Sequence, residues 1–436
     1  VLKTFPKGGV HPPENKISAG LSIEILPVPE QVIIPVNQHL GAPAEPVVEK
    51  GDTVKAGQTI ARSKGFVSVN IHSSVSGKVL KIDKVLDSSG YKQTCVVINV
   101  EGDEWIDSVD RSDDLKKDIN LTGEEIIKKC SENGIVGMGG ATFPTHVKLS
   151  IPPGKKCDVL IINGVECEPY LTSDHRLMLE KTGELLTGTS LLMKALGVDR
   201  AMIGIENLKS MVSGFNGISV HTLKVKYPQG AEKQLIKALI NREVPSGGLP
   251  VDVGTVVHNV GTAYAVYEAV QKNKPLVERV VTVSGKDMEK PVNLLTRIGT
   301  PVNNLIEYAG GLPGSTAKVV NGGPMMGKAL SSLDVPVTKG TSGIMLLRDK
   351  ESRRRETGPC IRCGKCITAC PMGLEPYLLM ALTEKELFEK TEKERIMDCM
   401  ECGSCSYICP ANRPLLDYIR LGKAYVGRII RERKQK

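Results

Sequence analysis

Eight of the twelve cysteines fall into two copies of one pattern near the C-terminus. Cys360, Cys363, Cys366 and Cys370-Pro371 form the first, and Cys399, Cys402, Cys405 and Cys409-Pro410 repeat it 39 residues later at every cysteine. Each copy reads C-x2-C-x2-C-x3-C-P. Two-residue spacers bring three thiolates onto one face of a compact loop, where they match three irons of a cubane, and the fourth cysteine opens the next segment and reaches the other cluster. The spacing therefore predicts two [4Fe–4S] clusters. One is expected on Cys360, Cys363, Cys366 and Cys409, the other on Cys399, Cys402, Cys405 and Cys370. The proline after each fourth cysteine stops the turn and removes a backbone donor. Gly364 and Gly403 let the backbone approach the inorganic sulfides, where N–H groups raise the potential. A pair of four-cysteine zinc sites would need neither the third cysteine step nor the closing Cys-Pro. Thiols used this way belong to a reducing compartment, not to a disulfide scaffold. Cys95, Cys130, Cys157 and Cys167 are scattered and read as ordinary buried thiols.

Clusters move one electron each, so something else must connect them to a chemical substrate. The candidate is Gly134-Ile135-Val136-Gly137-Met138-Gly139-Gly140-Ala141-Thr142-Phe143-Pro144-Thr145-His146-Val147-Lys148. It is a Gly-rich loop running into a helix, where free N–H groups and the helix dipole favour a phosphate. Alone it reads equally well as a tight turn.

The chain that must position these residues has 436 of them, enough for two to four domains. Its 41% hydrophobic and 24% charged residues are those of a soluble globular protein. Aromatics are scarce at 4%, Trp105 is the one tryptophan, and 44 Gly with 26 Pro favour short strands and many turns. No run of about 18 apolar residues predicts a membrane span. The opening Val1-Leu2-Lys3-Thr4-Phe5-Pro6 lacks the apolar stretch of a secretory signal, so the protein is expected to stay where it is made. The net charge of +8 is concentrated at the end. Lys423, Arg428, Arg431, Arg433, Lys434 and Lys436 face only Glu432 there. That tail is either a solvated helix end or a surface for an acidic partner or anionic membrane. Nucleic acid is not expected, because the basic stretch has almost no aromatic interleaving.

Four zones follow along the chain, giving a multidomain α+β fold. Residues 1–112 look all-β: Val47–Ile60 and Val75–Ile82 alternate short apolar runs with Gly turns. They resemble a lipoyl/biotinyl barrel-sandwich domain, but Phe66-Val67-Ser68-Val69-Asn70 has no lysine at the carrier position, so a structural module is expected. Residues 113–272 alternate helix and strand patterns, with a buried-strand run at Asp158–Asn163 and a helix from Ala263 to Val270. Residues 273–348 return to β character around Val280–Gly285. Residues 349–436 are charged, Cys-rich and helical, entered through an exposed Arg353-Arg354-Arg355 linker.

The Gly-rich loop resembles G-R-G-G-A-G-F-P-T-x-x-K of the FMN- and NADH-binding flavoprotein subunit of respiratory complex I. Asn163-Gly164-Val165-Glu166-Cys167-Glu168-Pro169 is similar to N-A-D-E-x-E-P, Tyr227-Pro228-Gln229-Gly230-Ala231-Glu232 to Y-x-x-G-E-E, and Asn259-Val260-Gly261-Thr262 to N-V-E-T. Residues 273–348 resemble the β-grasp (SLBB-like) domain that follows in that family. The whole order, opening with Gly8-Gly9-Val10-His11-Pro12-Pro13-Glu14-Asn15-Lys16, is closer still to the C subunits of the Rnf complex, a ferredoxin:NAD+ oxidoreductase coupled to ion transport.

The resemblance implies FMN surrounded by Gly137, Gly139, Gly140 and Lys148, with Asn163, Glu166, Tyr227, Gly230, Asn259 and Thr262 completing its pocket. Phe143 would stack on the NADH adenine; Glu168 and Glu232 would contact the nicotinamide half as the catalytic pair. Bland readings stand beside these: a core aromatic for Phe143, surface charge for the glutamates, a hydrogen-bonded loop for Asp174 and His175. It further implies membrane and cluster-bearing partner subunits, ferredoxin as an indirect donor, and a peripheral seat on the cytoplasmic face of the cell membrane. Met138, Val165, Ala231 and Gly261 stand where the complex I pattern carries charge. Those departures keep a second reading open, an electron relay with an empty flavin fold. A corrinoid reductase and a lipoyl-type carrier are the remaining alternatives.

Overall fold

The computed structural model describes residues 2–206 and 217–435. Short alternating strands build the first body. Gln31–Pro35, Lys92–Val100, Gly77–Leu86 and Thr53–Val54 pair antiparallel into one sheet, and Glu45–Pro46, Thr59–Arg62 and Ile71–His72 into another. The inward positions of the two-residue period, among them Val32, Ile34, Ile60, Ile71, Val96 and Ile98, are fully enclosed between the sheets.

The strands of the two barrel sheets begin at Gln31, and the segment before them pairs with later bodies. Lys3 bridges Leu223, Val10 exchanges backbone hydrogen bonds with Tyr227, and Ile23–Ile25 adds a parallel edge strand beside Val292–Arg297. This segment lacks the alternating pattern of a sandwich strand. It finds backbone partners by lying along edges that later domains leave open.

The second body is a four-stranded parallel sheet. Val159–Gly164 has Ala201–Glu206 and then Ile218–Leu223 on one side and Thr255–Asn259 on the other. The run Val159-Leu160-Ile161-Ile162 is apolar at every residue because both faces of a parallel strand are covered. Leu160 and Ile162 pack toward the helices Thr182–Leu196 and Val260–Gln271, while Val159 and Ile161 pack on Glu232–Ile240. The chain grows outward from Val159–Gly164 in one direction, then returns to its other flank. Strand order therefore reverses between Val159–Gly164 and Thr255–Asn259, the kind of crevice at which open α/β sheets bind ligands.

The third body is a mixed six-stranded sheet. Glu278–Ser284 lies at its centre and Val302–Tyr308 is a helix whose Val302, Leu305 and Ile306 close the core. The last body is helical, with Pro376–Glu384 and Leu415–Gln435 packed around Leu379, Met380, Ile419 and Val426. Among the described residues, no helix is long and apolar enough to cross a membrane.

Candidate functional site: a flavin cleft joined to two cysteine quartets

Asn163 and Asn259 end the two strands that flank the reversal point and are register neighbours. Each spends its side chain on fixing local backbone. Asn163 Nδ2 donates to the Gly230 carbonyl at 2.7 Å and its Oδ1 accepts from Val165 N–H at 3.0 Å. Asn259 Oδ1 caps the helix Val260–Gln271 by accepting from Gly261 N–H at 2.8 Å. The Gly-rich loop folds over them. Gly137 N–H donates to Phe143 O at 2.9 Å, and Met138 N–H to Thr262 Oγ1 at 2.9 Å. A Cβ at Gly139 would lie 2.8 Å from the Asn259 side chain, so only glycine fits, whereas Gly140 faces open space. Lys148 Nζ donates to Glu232 Oε1 at 2.8 Å and to the Val257 carbonyl at 2.9 Å. Behind it burial, then the Lys148 charge, push His258 down to about 3, so that imidazole is neutral.

Gly139, Asn163, Gly230, Asn259 and Thr262 are thus linked by hydrogen bonds or close contacts at the reversal point, Lys148 pairs with Glu232, and half-buried Phe143 lies on the same loop as Gly137 and Gly140. A glycine loop with room in front of it, a capped helix N-terminus and one ammonium group form a donor set that suits a phosphate-bearing cofactor such as FMN. An open cavity, lined by Lys3, Arg200, Lys237 and Arg242, lies at the N-terminal ends of the strands and contains none of these residues. Open α/β sheets bind their ligands at the other end.

Three expected residues point elsewhere. Glu166, expected in the flavin pocket, caps the helix Ser173–Glu180, accepting from Ser173 Oγ and from the N–H groups of Asp174 and His175. Glu168, expected at the nicotinamide, turns into the seam with the third body. Its Oε2 accepts from Met325 N–H at 3.1 Å, Oε1 is buried without a partner, and burial pushes the carboxyl up to about 7. Tyr227, expected at the flavin, sends its hydroxyl 2.8 Å to the carbonyl of Cys402. In each the direction of the side chain is set by long-range packing, which no local sequence pattern encodes.

The cysteines separate into two environments. Cys370, Cys399, Cys402 and Cys405 line one cavity closed by Leu416 and Ile419. Cys409 lies beside Cys366, and Cys360 and Cys363 are exposed. Among the described residues, no three His, Cys, Asp or Glu side chains are close enough to share a single metal ion. Thiolates standing around an iron–sulfur cube have no need to be. Burial pushes Cys399 up to about 11 and Cys405 up to about 12, so iron must drive their deprotonation.

The buried quartet is the one that abuts the flavin body. Gly9 N–H donates to the Ala369 carbonyl at 2.9 Å, and a Cβ on Gly8 would lie 2.5 Å from the Cys370 carbonyl carbon. Gln234 Nε2 donates to the Pro371 carbonyl at 3.3 Å. Val10, Tyr227, Ala369 and Cys402 form one apolar knot, with Cys167 packed against it. Lys16, which closes the N-terminal motif, carries no sign of its role in the sequence. Its Nζ donates to the carbonyls of Glu166, Glu168 and Leu171 at 2.6, 2.9 and 2.6 Å and holds the loop beneath the seam.

A phosphate-type cleft at the reversal point of a parallel sheet, joined through a buried seam to paired cysteine quartets, defines a flavin- and iron–sulfur-dependent electron-transfer protein. Family models match in the same order: the RnfC barrel sandwich hybrid domain over residues 3–103, the Nuo51 FMN-binding domain over 130–268, the SLBB domain over 280–329 and the 4Fe-4S dicluster domain over 353–410. The chain is 48% identical to the C subunit of the proton-translocating ferredoxin:NAD(+) oxidoreductase complex of Clostridium ljungdahlii, covering 97% of this chain and 94% of that one. It is 44% identical to the C subunit of the Na(+)-translocating ferredoxin:NAD(+) oxidoreductase complex of Acetobacterium woodii, covering 96% of each. It is 40% identical to the C subunit of the ion-translocating oxidoreductase complex of Rhodobacter capsulatus, covering 97% of this chain and 83% of that one. A solved NAD+-reducing [NiFe]-hydrogenase aligns at 20% identity and TM-score 0.47 over 69% of this chain and 62% of that one, too slight a likeness to carry weight.

The chain belongs to the family of C subunits of Rnf-type ion-translocating ferredoxin:NAD+ oxidoreductase complexes. It is a peripheral electron-transfer subunit of a membrane-associated complex, and its cofactors are FMN and [4Fe–4S] clusters.

Proposed function

We propose that this subunit exchanges electrons between NAD(H) and its complex in the order nicotinamide, flavin cleft, buried quartet, exposed quartet. FMN, when bound, supplies the chemistry that the chain lacks, pairing two-electron exchange with nicotinamide to one-electron exchange with clusters. The chain's own residues position and insulate. Asn163 and Asn259 fix the floor of the cleft, and the Gly137–Gly140 loop with Lys148 holds the phosphate-bearing end. Glu232, paired with Lys148 and half-exposed, stands where a second substrate would enter. Cys399, Cys402, Cys405 and Cys370 would hold the cluster facing the flavin; Cys360, Cys363, Cys366 and Cys409 would hold the one facing a partner. The observation that carries this order is the hydrogen bond from Tyr227, on the flavin body, to Cys402 of the enclosed quartet.

In this reading ferredoxin is the remote donor, reached through partner subunits at the cytoplasmic face of the membrane. Ion movement belongs to those partners. The test is anaerobic purification with added FMN, counts of iron, sulfide and flavin, and NADH-driven ferricyanide reduction. About eight irons and one FMN per chain with NADH oxidation are expected. Full iron with no flavin and no NADH oxidation would leave only a relay, and zinc in place of iron would remove the electron-transfer reading altogether.

A further inference from the structure

One carboxyl outside every motif stands at the floor of the cleft. Asp174 is the second residue of the helix Ser173–Glu180, and its Oδ2 accepts from Asn259 Nδ2 at 2.6 Å. A Cβ built at Gly261 would lie 3.6 Å from Asp174 Oδ1, 3.0 Å from Asn259 Oδ1 and 3.7 Å from Met138 Cβ. Asp174 Oδ1 therefore faces the spot where a side chain at 261 would begin, with the Gly-rich loop on its far side. Among the described residues, that oxygen takes no hydrogen bond, while Oδ2 and the backbone N–H are both engaged. Gly139 leans on the same Asn259. Direct contacts thus run from Asp174 through Asn259 to the loop.

The charges around it come from every side. Glu166 lies on the loop after Val159–Gly164, Arg279 on the strand Glu278–Ser284, and Lys16 on the N-terminal segment. Burial raises the acid first and Glu166 raises it further. Asn259, Arg279 and Lys16 pull it down, and the balance leaves it well above the ordinary aspartate range. The sequence, meanwhile, has Gly261 at the position facing its free oxygen, so no charge is brought there.

We propose that Asp174 is the charge-balancing positioning residue of the flavin cleft: it supplies, through Asn259, the carboxyl that position 261 lacks, and takes up a proton when electrons enter the cleft. The proton comes from solvent and converts the carboxylate to the acid, while the electrons come from nicotinamide or the clusters. No other bond forms or breaks. This rests on FMN occupying the cleft as proposed above.

The test is a spectroelectrochemical titration of the FMN in the whole protein, wild type and Asp174→Asn, at pH 6 and pH 8. An ionised carboxylate opposes reduction, so its amide isostere should favour the reduced flavin. At pH 8 the variant should hold roughly tenfold more reduced flavin at a fixed poise, about 30 mV for a two-electron couple. At pH 6, where more of the wild-type acid is protonated, the difference should shrink. A difference of equal size at both pH values, or none, overturns the proposal while leaving FMN binding intact. Wild-type protein that takes up no FMN overturns the cleft reading itself and this proposal with it. If Asp174→Asn loses its flavin, reduction-induced infrared difference spectra of the wild type at pH 8 decide. Growth of the C=O band of a protonated carboxyl is expected, and its absence refutes the role.

Discussion

Replacing Tyr227 by Phe removes one hydroxyl and nothing else from the seam between the flavin body and the buried quartet. The ring is 2% exposed and packs with Val10, Ala369 and Cys402, so the substitution leaves the apolar contacts in place and opens almost no cavity. It does orphan the Cys402 carbonyl, which accepts from the hydroxyl at 2.8 Å in a residue only 7% exposed. A buried carbonyl stripped of its donor costs about 1–3 kcal/mol. Every 1.4 kcal/mol is tenfold, so the open population of the Cys399–Cys405 loop should rise about 5- to 150-fold. The assay is iron release to an excess ferrous chelator under argon, followed by visible absorption. Release tracks the open population when opening and closing are fast relative to capture. Two phases are expected in the wild type, an early one from the exposed quartet and a late one from the buried quartet. Tyr227→Phe should accelerate only the late phase. If both phases speed up equally the effect is global, and if neither moves by more than about twofold the seam bond does not hold the cluster loop.

Cys370→Ser and Cys409→Ser separate the crossed assignment from a sequential one. Cys370→Ser should abolish the electron paramagnetic resonance signal shared with Cys399, Cys402 and Cys405, although Cys370 belongs to the first motif; loss of the Cys360 signal in its place would refute the crossing. Burial alone also orders the two potentials. The reduced cluster is the more highly charged, so the enclosed quartet should be the harder to reduce, and a redox titration placing it above the exposed one would overturn that argument. Lys339 is 1% exposed where three bodies meet, its Nζ donating to the carbonyls of Gly134 at 2.7 Å and Asn70 at 3.3 Å. Burial pushes it down to about 7, so between pH 7 and its ordinary range the unfolded chain binds the extra proton and stability rises with pH. Lys339→Met should flatten that rise, which is of the order of a few kcal/mol, in hydrogen exchange around residues 70 and 134; an unchanged slope would place the pH dependence elsewhere.

What the sequence made legible was local. The cysteine quartets announce themselves because a cubane needs thiolates at fixed short spacings, and the Gly134–Lys148 loop because close backbone approach needs glycine. The helix expected from Ala263 to Val270 was legible too, though it begins three residues earlier, at Val260, with Asn259 as its cap. Illegible were the pairings made at long range. The strand Ile23–Ile25 joins Val292–Arg297 across some 270 residues, and nothing in either segment names the other. Residue type was also easier to read than direction. Glu166 and Glu168 share a motif and a charge, yet one caps a helix and the other meets a turn near Met325, because the backbone between them swings across a domain seam. Asp174 stayed illegible for the same reason. Its neighbours in sequence are ordinary helix residues, and its surroundings come from four separate elements.

The duplicated cysteine motif shows how position makes two different sites from one pattern. Gly364 and Gly403 both take the left-handed conformation, with φ of 72° and 77°, and both precede a five-residue helix. As local structures the two copies are interchangeable. Around Gly364 there is open space, whereas Gly403 sits 3.0 Å, measured from its would-be Cβ, beneath the Met325 carbonyl of the third body. Cys360 and Cys363 meet solvent, while Cys402 is buried behind the N-terminal segment and Tyr227, and Cys405 within the helical core of the last body. A side chain at Gly364 would therefore be tolerated by its neighbours apart from its φ, and one at Gly403 would also collide with the seam. The asymmetry lies in what the N-terminal segment, the flavin body and the third body press against. It follows that the N-terminal segment and the third body decide which quartet is enclosed and which is left open to solvent.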